Sequence, residues 1–254
     1  MMIRVKNSAE GAEISISGNI IDDQDGNLME WWMGEGNTGG YEWPSNIKKQ
    51  LDDIDDGQPL TVYINSDGGS VAAGMAIANM IARHKGPTTA VVDGWACSIA
   101  TQIFFAADTC RIPSNAYLML HKPSCALRGD ADDLAKGIEM LDAIQAGLES
   151  TYNKAAKDGV TPEQVHDMVE QETWLTGESA AQFFNVEVME ATKTAASVSN
   201  AFLAAADTCK TIPQKIRDLL EQREDSKPNP DAEEEKRKTM NMQVAIALAL
   251  AEGE

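Results

Sequence analysis

Two strand-to-helix junctions in close succession constrain this chain more than any other feature. Pro59 to Asn65, PLTVYIN, is an apolar, β-branched run that passes into Ser66-Asp67-Gly68-Gly69. Val71 to Arg83 then carries Ala, Met and Ile at helical spacing. The pattern repeats at once, with Thr88 to Asp93 reading as a buried strand and Ile99 to Ala107 as a helix. Strands that alternate with helices at this interval are joined by crossovers and build a mainly parallel sheet, so the predicted class is α/β. Glu13 to Ile21 supplies an earlier strand, and Cys110 to Ile112 and Tyr117 to Leu120 supply two short later ones.

The segments around this frame are read in the same way. Asp22 to Tyr41 is rich in Asp, Gly and Asn and predicts a long loop, with Trp31 and Trp32 as an aromatic anchor. Trp43 to Ile54 predicts a helix. Asp130 to Lys157 predicts a long amphipathic helix, its apolar positions being Leu134, Ile138, Leu141, Ile144 and Leu148. Thr161-Pro162-Glu163-Gln164 opens the next helix as a capping box with proline at the first helical position. A shorter helix runs from Thr176 to Phe184. Past Ser197 the composition changes. Glu221 to Lys238, EQREDSKPNPDAEEEKRK, holds almost nothing apolar and predicts a disordered linker, and Met240 to Ala251 is Ala/Leu-rich. The expected organisation is one domain over 1–197 and an appendage over 198–254, made of a charged linker and a short helical tail.

Composition excludes several classes of function. A net charge of -19 repels phosphate backbones, so no nucleic-acid partner is expected. No apolar run approaches the ~20 residues of a membrane span, and MMIRVKNSAEGAE lacks the apolar stretch of a signal peptide. The expected location is the cytoplasm, with no membrane partner. Cys97, Cys110, Cys125 and Cys209 form no CxxC pair, so no metal, disulfide framework or cofactor is expected.

Three features carry chemistry. Ser98 stands alone at the junction of the strand ending in Gly94 and the helix from Ile99. A hydroxyl there is a helix cap or a nucleophile, and a nucleophile needs a base and an oxyanion hole. Of three histidines, His84 closes a helix and His166 lies within one, whereas His121 sits where the strand YLML becomes a loop. Gly68-Gly69 permits close backbone approach, serving either a tight turn or an N–H aimed at an oxyanion. Cys97 beside Ser98 suggests that alkylation would crowd the site.

Taken together these segments resemble the proteolytic subunit of Clp protease. Asn65 to Ile77, NSDGGSVAAGMAI, resembles that family's I-N-S-P-G-G stretch, Gly94 to Ala100 its G-x-A-A-S-M-G nucleophile segment, and Leu118 to Pro123 its V-M-I-H-Q-P histidine segment. Glu172 to Ala180 is similar to its D-x-F-x-S/T-A-x-E-A segment. The likeness covers roughly 13–190. It implies a βαβ spiral of the kind shared with crotonases, with Asp130 to Lys157 as a handle helix that packs rings of a homo-oligomer. It implies Ser98 as nucleophile, His121 as base, and the N–H groups of Gly69 and Ile99 as the oxyanion hole. Gly68 and the loop and strand from Ser124 through Cys125 and Ala126 to Arg128 would bind an extended peptide. The family's orienting acid is Asp, and here Glu172 stands in its place, with Asp167 as a fallback. Asp67 replaces the proline before the glycines. The Trp31-Trp32 segment and the tail instead resemble the Clp-like head maturation proteases of tailed phages, which cleave scaffold and capsid proteins. An unfoldase partner stays undetermined, since a protease enclosed with its substrate in a prohead needs none. Two other readings remain: a catalytically inactive ring used as an assembly platform, and a crotonase-type acyl-CoA enzyme.

Overall fold

The computed structural model describes residues 6–8, 11–34 and 36–191. In chain order these form β1 (Lys6–Ser8), β2 (Gly11–Ile20), α1 (Asp23–Met33), β3 (Tyr41–Glu42), α2 (Pro44–Asp52), β4 (Leu60–Gly69), α3 (Val71–Ala82), β5 (Thr88–Cys97) and α4 (Ala100–Phe104). They continue with β6 (Thr109–Pro113), β7 (Tyr117–Leu120), α5 (Ala131–Ala155), α6 (Pro162–Glu170), β8 (Thr173–Thr176), α7 (Gly177–Phe183) and β9 (Glu187–Met189). The tail expected over 198–254 lies outside the described residues.

The sheet runs β1-β2-β4-β5-β6-β9, and β2, β4, β5 and β6 pair in parallel as the alternation of strand and helix requires. Ile14 and Ile16 of β2, Val62 and Ile64 of β4, and Ala90 and Val92 of β5 are buried, and so are Ile77 and Ile81 of α3 and Ile103 and Phe104 of α4. The feature that positions the site is a fork in β5. Its first half, Thr89 to Val91, pairs with β6, while Trp95 to Cys97 pairs with β7, which in turn pairs antiparallel with β8. The fork opens across Asp93 and Gly94. A Cβ at Gly94 would lie 2.6 Å from Asn65 Oδ1, so glycine lets the Asn65 amide close on this bend, where it accepts from the Trp95 N–H at 3.4 Å.

The long loop expected over Asp22 to Tyr41 is a helix for half its length. Asp22 takes an extended conformation at the N-cap, and Asp23 and Asp25 place negative charge in the first turn, where the helix dipole favours it. Gly26, a loop signal in the sequence, is a packing glycine. A Cβ there would sit 2.2 Å from Trp43 Cγ, so α1 lies directly on that indole. Trp43 is the buried anchor at 1% exposure, whereas Trp31 and Trp32 are 83% and 51% exposed.

The capping boxes form as the residue types dictate. Thr161 and Gln164 each bond the other's backbone N–H at the start of α6, and Asp130 and Asp133 do the same for α5. Helix α5 buries Gly137, Leu148 and Tyr152, and it leaves Leu134 and Ile138 largely exposed. Gly147, on the exposed side of α5, has nothing within 4 Å of a Cβ. Gly147→Ala is therefore expected to stabilise the protein by about 0.5–1 kcal/mol through helix propensity alone, read from urea unfolding.

Candidate active site

Ser98 follows directly on the half of β5 that pairs with β7. Cys97 stands opposite Met119, and the Ser98 N–H donates to the Met119 carbonyl at 2.9 Å. Because the two strands are parallel, the residue two places past Met119 emerges beside the residue after Cys97. That residue is His121, and its Nε2 lies 2.7 Å from Ser98 Oγ. Ser98 does not cap α4 with its side chain. Its carbonyl does the capping, accepting from Thr101 N at 3.0 Å and from the Thr101 hydroxyl. Thr101 Oγ1 also meets the buried Tyr152 hydroxyl at 2.7 Å, so α5 is fastened to the Ser98 turn. Sequence reasoning missed Thr101 and Tyr152, because their partnership joins elements far apart in the chain.

The backbone at the site is strained. Among the described residues two non-glycine residues have positive φ, Ser98 at 55° and Glu172 at 50°. Each such conformation costs on the order of 1–3 kcal/mol, and it persists where surrounding structure imposes it. The turn at Ser98 lifts the hydroxyl out of line with β5 while the buried Ile99 side chain holds the turn down. A Cβ at Gly74 of α3 would lie 2.4 Å from Ile99 Cγ1, which shows how closely that helix packs on it.

The end of β4 approaches this turn from the other side. Gly68 has φ 93°, and a Cβ there would lie 2.7 Å from the Cys97 carbonyl oxygen and 2.8 Å from Ser98 Cβ. Gly69 has φ 144°, with a Cβ position 2.0 Å from the Ile20 carbonyl oxygen. The buried Ser66 hydroxyl fixes the bend, donating to the Gly18 carbonyl and accepting from Gly68 N–H at 3.1 Å. The Ile99 N–H donates to no backbone carbonyl among the described residues.

The remaining predicted residues divide. Leu120 pairs with Thr173 at the end of the β7–β8 ladder, so Glu172 stands across from His121 in the continued register. Its carboxylate is exposed and makes no hydrogen bond to the imidazole. Asp167 lies on α6 beside His166, whose pKa the Glu149 hydrogen bond, above all, holds above the usual range, with the Asp167 charge the least of the causes. Ser124, Cys125, Ala126 and the residues to Arg128 were expected to include a strand; they form an exposed irregular stretch, because no neighbouring strand pairs with them within the protomer. The thiol sensitivity expected at Cys97 is corrected by burial. The side chain is 2% exposed, and desolvation, aided by the Asp67 charge, pushes its pKa up to about 12, leaving a shielded, neutral thiol. No group of three or more His, Cys, Asp or Glu side chains suited to a metal occurs among the described residues.

Comparison with known proteins gives a consistent result. The profile of the family described as Clp protease matches residues 47–191. The "ATP-dependent Clp protease proteolytic subunit 1" of Chlamydia abortus is 30% identical over 131 residues, covering 50% of this chain and 67% of that protein. The protein of the same name from Protochlamydia amoebophila is 29% identical over 137 residues, covering 52% and 66%. Among solved structures, a single-residue variant of ClpP1 from Listeria monocytogenes superposes with a TM-score of 0.55 at 23% identity, over 70% of this chain and 91% of that one, a likeness of fold.

Proposed function

The chain belongs to the Clp protease family, a family of serine hydrolases, and from that membership we propose that it is a serine endopeptidase working through Ser98 and His121. The observation that carries the reading is the 2.7 Å contact of His121 Nε2 with Ser98 Oγ at a strained turn whose hydroxyl is free of any capping role. Ser98 Oγ attacks the scissile carbonyl carbon while His121 takes its proton. The oxyanion of the tetrahedral intermediate is held by the N–H groups of Gly69 and Ile99. His121 then protonates the leaving amine, and water, activated by the same imidazole, releases the acyl group from Ser98. No cofactor enters this scheme. The irregular segment Ser124, Cys125 and Ala126 is the proposed edge along which an extended peptide adds as a strand, with Gly68 beside the Ser98 turn as a further contact.

Glu172 is the proposed orienting acid, reaching His121 Nδ1 by a side-chain rotation. Glu172→Ala is expected to lower peptide hydrolysis about 10²–10⁴-fold, and Asp167→Ala to leave it unchanged. Equal activity in Glu172→Ala would leave Ser98 and His121 acting as a pair.

The finer reading is a head maturation protease, acting in the bacterial host cytoplasm or inside a prohead on scaffold or capsid protein, without an obligatory ATPase. Helix α1, inserted between β2 and α2 with two exposed tryptophans, supports a role more specialised than general turnover. A homo-oligomeric ring is supported by the open apolar positions Leu134, Ile138 and Met140 on α5. The inactive assembly platform is the second reading, favoured by the disengaged Glu172 carboxylate. A crotonase-type role needs only the paired N–H groups and leaves the Ser98–His121 contact without a purpose. A fluorophosphonate probe decides: labelling of the wild type at Ser98 supports the peptidase, and an inert wild type supports the platform.

A further inference from the structure

Strands β7 and β8 separate at the candidate site. Their last ladder pair is Leu120 with Thr173, and the next residues across the opening are His121 and Glu172, the second in a left-handed conformation. No ladder hydrogen bond sets the width of this gap. A side-chain pair spans it one step further out, where Lys122 Nζ donates to Glu170 Oε2 at 2.7 Å. Lys122 directly follows His121, and Glu170 precedes Glu172 by two residues at the end of α6. The other Glu170 oxygen accepts from Gln145 Nε2 of α5 at 3.2 Å. Gln145 also donates to Glu149 Oε1 at 2.8 Å, and that oxygen lies 2.9 Å from His166 Nδ1. The Glu170 carboxylate is thus fastened at both oxygens, one to the histidine loop and one to α5. The hydrogen bond from Lys122, more than any other influence, holds its pKa below the usual range.

We infer that Lys122 and Glu170 are positioning residues, whose ion pair sets the spacing of His121 and Glu172 and keeps the imidazole aimed at Ser98. The inference rests on the serine-peptidase reading. The pair is exposed enough, at 50% and 36%, that solvent screens it and its contribution to global stability is small. Its effect is geometric, and small misplacements of a reacting group lower rates steeply.

The test uses the full chain and a fluorophosphonate, with the maximal inactivation rate and the half-saturation concentration measured separately, alongside the melting temperature. Lys122→Met and Glu170→Gln are each expected to lower the maximal rate about 2–5-fold, the most that a screened pair of this kind can shift the aligned population, with half-saturation and melting temperature little changed. Lys122→Arg keeps the rate, and the reversed pair Lys122→Glu with Glu170→Lys recovers part of what either single change loses. Single variants that react at the wild-type rate overturn the inference while the peptidase reading stands. A loss that follows half-saturation or melting temperature, or that the reversed pair fails to recover, also overturns it. A wild type that is not labelled overturns the peptidase reading, and the inference falls with it.

Discussion

Ser98→Ala is expected to abolish fluorophosphonate labelling and to lower peptide-bond hydrolysis by roughly 10⁵–10⁶-fold, leaving the residual rate that backbone donors and binding supply alone. The fold should survive. The hydroxyl makes its hydrogen bond with His121, while the turn is held by the Ser98 carbonyl and N–H, which alanine keeps. The stability change is therefore expected to stay near 1 kcal/mol. Alanine does not relieve the positive φ, but Ser98→Gly does, and that variant should be equally inactive yet slightly more stable than the alanine form. Intact mass followed over time adds a second readout. If the wild type shortens itself within residues 200–254 and Ser98→Ala does not, the tail contains a processing site. Hydrolysis retained in Ser98→Ala would move the nucleophile elsewhere, and an inert wild type would favour the assembly platform.

The elements that fix the fold were legible because their signals are local. The run PLTVYIN ending in glycines and the capping residues Thr161 and Asp130 each act over a few residues, and β4, α6 and α5 begin and end close to where those residues direct. Asp22 to Tyr41 misled because glycine has two meanings. Gly34 sits at the end of α1 with positive φ, while Gly26 inside the helix exists to let Trp43 approach, and composition does not tell them apart. The site was legible only as a set of candidates. Whether Ser98 caps a helix or faces a base depends on whether its hydroxyl or its carbonyl meets α4, and on the register that puts Cys97 opposite Met119. The fork in β5 that creates this register is a long-range choice between two partner strands. The clamp from Lys122 to Glu170 was invisible for the same reason, because it joins residues brought close by the antiparallel pairing of β7 and β8.

Gly69→Ala is expected to be the most destabilising single change at the site, by about 3–5 kcal/mol, a large share of the 5–15 kcal/mol of a typical domain. Two costs combine. A φ of 144° lies outside what an L side chain readily adopts, and the new Cβ would lie 2.0 Å from the Ile20 carbonyl oxygen. That oxygen belongs to backbone, and it already accepts from Ser70 N–H at 2.8 Å, so it cannot yield without breaking the β2–β4 register at its end. Activity should disappear together with stability, because any shift that admits the methyl also moves the N–H proposed for the oxyanion. Gly68→Ala separates the two effects. Its Cβ would press on the Cys97 carbonyl oxygen and Ser98 Cβ, so the strain falls on the Ser98 turn rather than on the sheet. Chemical unfolding should rank Gly69→Ala well below Gly68→Ala in stability, while both lose labelling at Ser98. A Gly69→Ala protein with the wild-type unfolding midpoint would show that the end of β4 is free to move away from Ile20, and the rigid donor required at that position would then be absent.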